Sequence, residues 1–471
     1  MSEYKPTIGI EVHAELKTKS KMFCGCKNDP HDGEPNSLTC PVCLAHPGTL
    51  PVVNKHAVQK VLLVGRALGG EIATYSEFDR KNYFYPDIPK AYQLSQYAFP
   101  FVKGGELAGV AITRVHLEED TARSQHDGED SVIDFNRAGV PLMELVTEPV
   151  IHDAKDAADF AKELQLLLRS IGVSDANMER GEMRVEANIS ISKDSTLGTK
   201  VEVKNLNSFR SMERAIIYEV KRQADLLDKG EVVRQETRGW DEAKGKTFLQ
   251  RSKETAEDYR YFPDPDIPKF DLAKVADFEL SRLDEILPEI PSKIRLSLQN
   301  LGLDSKQTEI ILSDPALLGF YRAAMVVPGM GASQSKLAAN YLTSDISGLM
   351  QADASLKLEA DKAPAFSKLI GMVEANKINS RVAKDLLLQV VFEGLDPESL
   401  AEEKGLLQDN SADSLAKVVE EVLAANPTVA AEFKAGKEAS LQFLVGQGMK
   451  ATRGAANPAL LSDLIRQKLS E

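Results

Sequence analysis

Residues 7–16, TIGIEVHAEL, alternate strictly between apolar and polar positions. Ile8, Ile10, Val12, Ala14 and Leu16 fall on one side, with Glu11, His13 and Glu15 between them. Successive side chains of a β-strand point to opposite faces, so this run predicts a strand with one buried face. Its other face carries two carboxylates and an imidazole. Similar alternation recurs in GVAITRVHLEED (109–120), GEMRVEANISIS (181–192) and GTKVEVKNL (198–206). Helical spacing of apolar residues appears at 152–171 and again at 208–229, where Ser208 is placed as an N-cap. Strands and helices do not alternate regularly and the strands read as half-exposed, which predicts an antiparallel α+β domain rather than a doubly wound parallel sheet.

From about residue 291 the pattern changes to short, well-punctuated helices. Ser380 precedes the run RVAKDLLLQVVF and Gly394 follows it, while Asn426-Pro427 and Asn457-Pro458 mark helix starts. The stretch EGLDPESLAEEKG (393–405) reads as a linker. The expected organisation is a cradle over 1–290, a helical domain over 291–400 and a helical tail over 401–471.

The chain has 471 residues, is 43% hydrophobic and carries a net charge of −14. That supports a large core and excludes a general nucleic-acid coat, so any RNA contact must come from a local basic patch. No apolar run is long enough to span a bilayer, and the N-terminal residues lack a signal-peptide core, so a cytoplasmic chain is expected. All four cysteines lie between residues 24 and 43, as Cys24-x-Cys26 and Cys40-x-x-Cys43 separated by a turn-rich loop. In a reducing compartment two such pairs point to a closed structural zinc knuckle rather than disulfides.

Four polar-faced segments in the first domain carry acids: Glu11 and His13; His116 to Asp120; Glu144 and Glu148; and Arg184, Glu186 and Asn188. A solvated sheet face explains any one of them. As neighbours in one sheet they would form an acidic floor, and gathered carboxylates with an imidazole suit Mg²⁺ or Mn²⁺. Beside this acid lies FDRKNYFYPDIPKAYQLSQ (78–96), where Pro86 and Pro89 exclude a helix and predict an ordered loop bearing Arg80, Lys81, Tyr83 and Tyr85. A partial echo, YRYFPDPDIP, occurs at 259–268. Cations and aromatics near Mg²⁺ are what a nucleoside triphosphate requires, and packed loop aromatics are the plainer explanation. Two phosphate-loop strings fail on context. GWDEAKGKT (239–247) has five residues between its glycines and reads as a hairpin, and GQGMKA (446–451) follows a helix. No Ser or Cys sits in a nucleophile motif.

These segments together resemble the B subunits of the bacterial tRNA-dependent amidotransferases. The resemblance rests on IGIEVHAEL, EPNSLTCPVCLAHPGTLPVVN, the 78–96 loop, RVHLEEDTA, NRAGVPLMELVTEP, EVKNLNSF, QETRGWDEAKGKT and DYRYFPDPDIP, and in the tail on LVGQGMKATRGAANPALLSDLI. It implies a cradle similar to the glutamine synthetase and guanidino-kinase core. It also implies conversion of Glu-tRNA(Gln) or Asp-tRNA(Asn) to the amide, with ATP phosphorylating the side-chain carboxylate and ammonia displacing phosphate. An amidase-type A subunit would supply ammonia and a small C subunit would tie the complex together, which fits the missing nucleophile.

Carried over by position, Glu11, His13, Glu119 and Glu144 are the expected Mg²⁺ group, with Glu11 and Glu119 also catalytic. Lys81 is the expected lysine pairing with an acid where ammonia arrives. Strand parity disagrees on one point, since it places Glu118 on the His116 face. Arg80, Tyr83, Glu186, Asn205, Asn207 and Ser208 are expected nucleotide or 3′-end contacts, and Lys450 and Arg453 tRNA contacts. Cys24, Cys26, Cys40 and Cys43 hold zinc in this reading. Because related members lack them, the zinc is assigned to the fold. A non-catalytic tRNA-presenting subunit and a free-standing glutamine synthetase-like ligase are the alternatives.

Overall fold

The computed structural model describes residues 4–252, 258–408, 412–452 and 456–470. The chain divides into two compact units, Met1–Ile290 and Pro291–Glu471. The first is sheet-rich and the second helical, giving a mixed α+β chain.

The first unit is built on a ten-stranded sheet. Its central strands are β1 (Lys5–Glu15), β4 (Val110–Glu119), β5 (Pro141–Thr147), β6 (Met183–Ser192) and β7 (Val201–Leu206). A hairpin of β8 (Glu236–Asp241) and β9 (Lys246–Ser252) extends it at one edge. The order is β9-β8-β7-β6-β1-β5-β4, ending in two short strands, Val102–Lys103 and Glu71–Ile72, and the tenth strand, Glu106–Leu107, pairs with β4 off this path. Pairing is antiparallel except between β7 and β8. The four polar-faced segments therefore lie on consecutive strands β6-β1-β5-β4.

Alternation sets which face is buried. Ile8, Ile10, Val12 and Ala14 are fully buried with Val185, Ala187 and Ile189 of β6 and with Val115 and Leu117 of β4. They share one core with α1 (Lys55–Ala67), α2 (Ala154–Ser170) and α3 (Phe209–Asp228). Each helix starts where a short polar side chain satisfies its first amides. Asn54 accepts from the His56 and Ala57 amides, Asp153 from Lys155, and Ser208 from Ser211. Helix α3 is pinned to the edge hairpin by completely buried Glu219, which accepts hydrogen bonds from Arg222 at 2.6 Å, Gln223 at 3.1 Å and the Thr247 hydroxyl at 3.0 Å.

The 78–96 segment is a hairpin rather than a plain loop. Strand β2 (Asp79–Asn82) pairs with β3 (Tyr92–Ser95), and the prolines occupy the connection. The echo at 259–268 adds a third strand, β10 (Phe262–Pro263), opposite Arg80 and Asp79.

In the second unit, Asn379 rather than Ser380 caps helix Ser380–Phe392, its side chain accepting from the Arg381 and Val382 amides at 3.1 and 3.0 Å. The expected linker at 393–405 contains helix Pro397–Glu403, with Asp396 accepting from the Ser399 amide at 2.9 Å. Proline at the first helical position and aspartate before it are a start signal, so LDPESL opens a helix. Helices Ala412–Ala425, Ala439–Ala451 and Pro458–Ser470 share a small core of their own around Val419, Leu444, Leu461 and Ile465. Among the described residues no helix is long and apolar enough to cross a membrane.

Candidate active site

Sheet register brings the polar positions together. His13 is paired across the strands with Arg184 on one side and Glu144 on the other, and Glu144 with His116. One step along, Glu11 lies opposite Glu186. The His13 Nε2 is 3.3 Å from Glu144, 3.6 Å from Glu118 and 3.9 Å from Glu11. The His116 Nε2 is 3.3 Å from Glu144 and 3.8 Å from Glu118.

Gathered acids in a partly dry site shift one another's protons. Burial first, then the charges of Glu144 and Glu186, push Glu11 up to about 7. Burial opposes the imidazolium of His13, but the hydrogen bond and charge of Glu144, with Glu118 and Glu11, outweigh it and raise it to about 9. Burial also opposes charge on Glu144, yet His116 and His13 hold it well below the usual carboxylate range. Two imidazoles thus stand where positive charge is needed. Ligand atoms of Glu11, His13 and Glu144 lie within 4.8 Å of one another, as do those of His116, Glu118 and Glu144. Hard oxygens with imidazole fit Mg²⁺ or Mn²⁺.

The structure corrects the expected place of Glu119. β4 runs through both glutamates with no intervening turn, so strand parity holds and Glu118 joins the cluster. Glu118 accepts a hydrogen bond from the Ser95 hydroxyl at 3.0 Å. Glu119 instead bridges to Lys90 at 2.6 Å and accepts from the Leu94 amide at 3.0 Å. Within the 78–96 segment the lysine bonded to an acid is therefore Lys90, which sequence reasoning passed over. Lys81 sits 5.0 Å over the Tyr259 ring and 5.7 Å over that of Tyr83. Burial works against its charge, but Glu118 and its neighbours keep the ammonium well above its ordinary range.

The other expected contacts are mostly committed elsewhere. Arg80 is held by Asp264 at 2.5 Å and Asp266 at 3.0 Å and lies over Tyr92, so it fastens β10 to the hairpin. Tyr83 donates to Gln93 at 3.1 Å. Glu186 meets Lys204 at 2.8 Å and forms a second acidic group with Glu11 and Glu202. Ser208 is occupied as the α3 cap. Asn207 is exposed, in a groove that also carries Arg123, Arg137 and Arg180. The side chain of Asn205, and Arg453, lie outside the described residues. Lys450 is exposed on helix Ala439–Ala451. In the same region Arg466 and Lys468 are neutralised by Glu438 at 2.7 Å and Glu420 at 2.9 Å.

The four cysteine sulfurs lie within 4.8 Å of one another. The thiol of Cys43 is held down to about 5, chiefly by its hydrogen bond with Cys24 and also by the backbone of Cys40 and the charge of Lys21. Four convergent sulfurs, one of them readily ionised, fit a tetrahedral zinc ion with no open position. Gly139, at φ +82°, packs between this cluster and Glu119, since a Cβ there would stand 3.6 Å from Cys43 and 3.9 Å from the Glu119 carboxylate. A cavity of about 220 Å³ is walled by Cys24, Cys43, Lys90, Tyr92 and Glu119.

Comparison with known proteins covers both halves of the chain. The family described as GatB/GatE catalytic domain matches residues 6–276, and that described as GatB domain matches 329–469. The chain is 43% identical to the B subunit of an aspartyl/glutamyl-tRNA(Asn/Gln) amidotransferase from Thermus thermophilus, over 99% of each chain. It is 40% identical to the same subunit from Carboxydothermus hydrogenoformans over 100% of each, and 38% identical to that from Gloeothece citriformis over 99% of this chain and 98% of that one. A catalytic-domain match spanning more than half of the sequence, and relatives aligned from end to end, lead to one assignment: the chain belongs to the GatB family.

Proposed function

We propose that this chain is the ATP-using, transamidating subunit of a glutamine-dependent amidotransferase, a carbon–nitrogen ligase acting on Glu-tRNA(Gln), Asp-tRNA(Asn) or both. The observation that carries this reading is the convergence of Glu11, His13, Glu118 and Glu144 from three adjacent strands, with Lys81 facing their charge. A cradle similar to the glutamine synthetase core is consistent with an antiparallel sheet bearing its acids on one face.

A carboxylate resists attack because a nucleophile would add negative charge to an anion. Transfer of the γ-phosphoryl of ATP to it makes an acyl phosphate with a good leaving group. Glu11, His13, Glu118 and Glu144 would hold Mg²⁺, which when bound supplies charge neutralisation for that transfer. Lys81 stays protonated between two tyrosine rings and supplies a fixed positive charge toward the same oxygens. Sheet burial around Glu118 and Glu144 keeps water from the activated acyl group. Ammonium must shed a proton before it attacks, and Glu119, held beside Lys90 on the neighbouring cavity, is the carboxylate that takes it. Ammonia then bonds to the acyl carbon, phosphate leaves with the oxygen's electron pair, and the nitrogen gives one proton to the departing phosphate, leaving the amide.

Ammonia is made by an amidase-type A subunit, with a small C subunit completing the heterotrimer in the cytoplasm. The helical segments after residue 290 divide into a helical domain and a tail, and Lys450 on the tail contacts tRNA. Zinc at Cys24, Cys26, Cys40 and Cys43 is structural. The test is amidation of each charged tRNA by the reconstituted complex with and without ATP. Product formed without ATP, or from free glutamate without tRNA, overturns the reading.

A further inference from the structure

Lys21 is fully buried at the base of the cysteine cluster. Its ammonium lies 3.8 Å from the Cys43 sulfur and donates to the Phe135 carbonyl at 3.2 Å. Among the described residues it forms no ion pair with a carboxylate. A cation sealed from water is costly unless an anion faces it, and one carbonyl is too little compensation. The anion on offer is sulfur. Four thiolates around a zinc ion leave about two units of negative charge in place.

We propose that Lys21 is the built-in counter-charge of a tetrathiolate zinc centre, keeping the Cys43 sulfur bound to metal and unreactive toward electrophiles. The proposal rests on the zinc reading above. The backbone places the lysine for this role: its amide donates to the Cys26 carbonyl at 2.9 Å, and the next amide, of Met22, donates to Gly139 at 2.7 Å. The side-chain stem is clamped against Gly139, where a Cβ would lie 3.7 Å from Lys21 Cδ. A cation this close draws electron density from the sulfur, lowers its nucleophilicity and offsets the net negative charge of the tetrathiolate cluster. Without it, the sulfur attacks a soft electrophile more readily. With iodoacetamide, a sulfur–carbon bond forms, iodide leaves with its electron pair and the sulfur–zinc bond breaks.

The experiment uses the full-length chain purified with its partner subunits, in wild-type, Lys21→Met, Lys21→Gln and Lys21→Arg forms. Zinc content is measured by mass spectrometry, iodoacetamide labelling of each cysteine by peptide mapping, and zinc release by a coloured chelator. Wild type is expected to hold one zinc per chain, and Lys21→Met to label at Cys43 about tenfold faster while Lys21→Arg stays near wild type. Zinc-loaded Lys21→Met labelling at the wild-type rate overturns the counter-charge role alone. A wild-type chain without zinc overturns the zinc reading beneath it. If Lys21→Met is purified without zinc, retention by Lys21→Arg and loss by Lys21→Gln supports the proposal, whereas loss by both shows that shape rather than charge is required and refutes it.

Discussion

Glu118 and Glu119 are consecutive in β4, yet Glu118 lies 3.6 Å from the His13 imidazole while Glu119 lies 2.6 Å from the Lys90 ammonium. Adjacent strand positions face opposite ways, so one acid serves the candidate metal group and its neighbour serves the cavity beside the cysteine cluster. The two should separate the two half-reactions. Glu118→Gln is expected to lower tRNA-dependent ATP turnover by about a hundredfold or more. Glu119→Gln should leave ATP turnover largely intact and lower amide formation instead. Quantifying ADP and amidated tRNA in the same reactions checks both, and equal losses in both products for both variants would refute the division.

The histidine charge gives a pH signature. Without a cation, His13 binds its proton more tightly in the folded chain, at about 9 against an ordinary 6.5. Its stabilisation is complete below the ordinary value and is lost as pH climbs through 9. Glu11, raised from 4.5 to about 7, acts in the same direction at lower pH. Metal-free protein should therefore melt lower at pH 9.5 than at pH 6. A cation requires a neutral imidazole, so the rise in Tm given by Mg²⁺ should grow over that interval. Thermal melts with and without Mg²⁺ measure this. A Mg²⁺ effect that does not vary with pH, or is unchanged in His13→Ala, would remove His13 from the ligand set.

Stripping zinc should weaken the first unit. The knuckle holds Gly139 against Glu119, so Cys40→Ser or chelation is expected to cost about 3 kcal/mol and lower Tm by roughly 6–12 °C. Amide formation should fall more than ATP turnover, because Glu119 loses its wall. Calorimetry with paired activity assays tests it, and an unchanged melting curve after complete zinc removal would count against a structural metal.

Glu219→Ala removes the carboxylate shared by Arg222, Gln223 and Thr247, leaving Arg222 with Glu236 at 3.4 Å, Gln223 with the Ile189 carbonyl at 3.1 Å and the Thr247 hydroxyl without that acceptor. The expected cost is about 3–5 kcal/mol, read as a shift of the denaturant midpoint. A change below about 1 kcal/mol would show that water replaces the carboxylate at the α3–hairpin contact.

Lys450→Glu should weaken tRNA binding across sequences and make log Kd about one unit less steep in log salt. Filter binding at several salt concentrations is the measurement. An unchanged slope would remove this helix from the RNA contact.

Much of the first unit was readable because alternation dictates its strands. Ile8, Ile10 and Val12 mark the buried face of β1, and parity along β4 puts Glu118 on the His116 face, where the two lie 3.8 Å apart, while positional likeness favoured Glu119. Pairings distant in sequence left no such trace. Nothing local says that β10 joins the 78–96 hairpin opposite Arg80, or that Lys90 rather than Lys81 takes a carboxylate, since both depend on chain returning from afar. The helix at Pro397–Glu403 was hidden differently: its exposed acids resemble a linker, although Asp396 and Pro397 announce a start.

The register of β1 has one more consequence. Its pairing joins Lys5 to Ser192 on one side and Glu11 to Val146 on the other, so the acids meet only after widely separated stretches of chain have closed on each other. Such long-range closure is slow. A chain that ends before residue 183 lacks the strand that flanks β1 on one side and sets Glu186 opposite Glu11. Under the proposed function, a chain cut before residue 183 is expected to turn over no nucleotide.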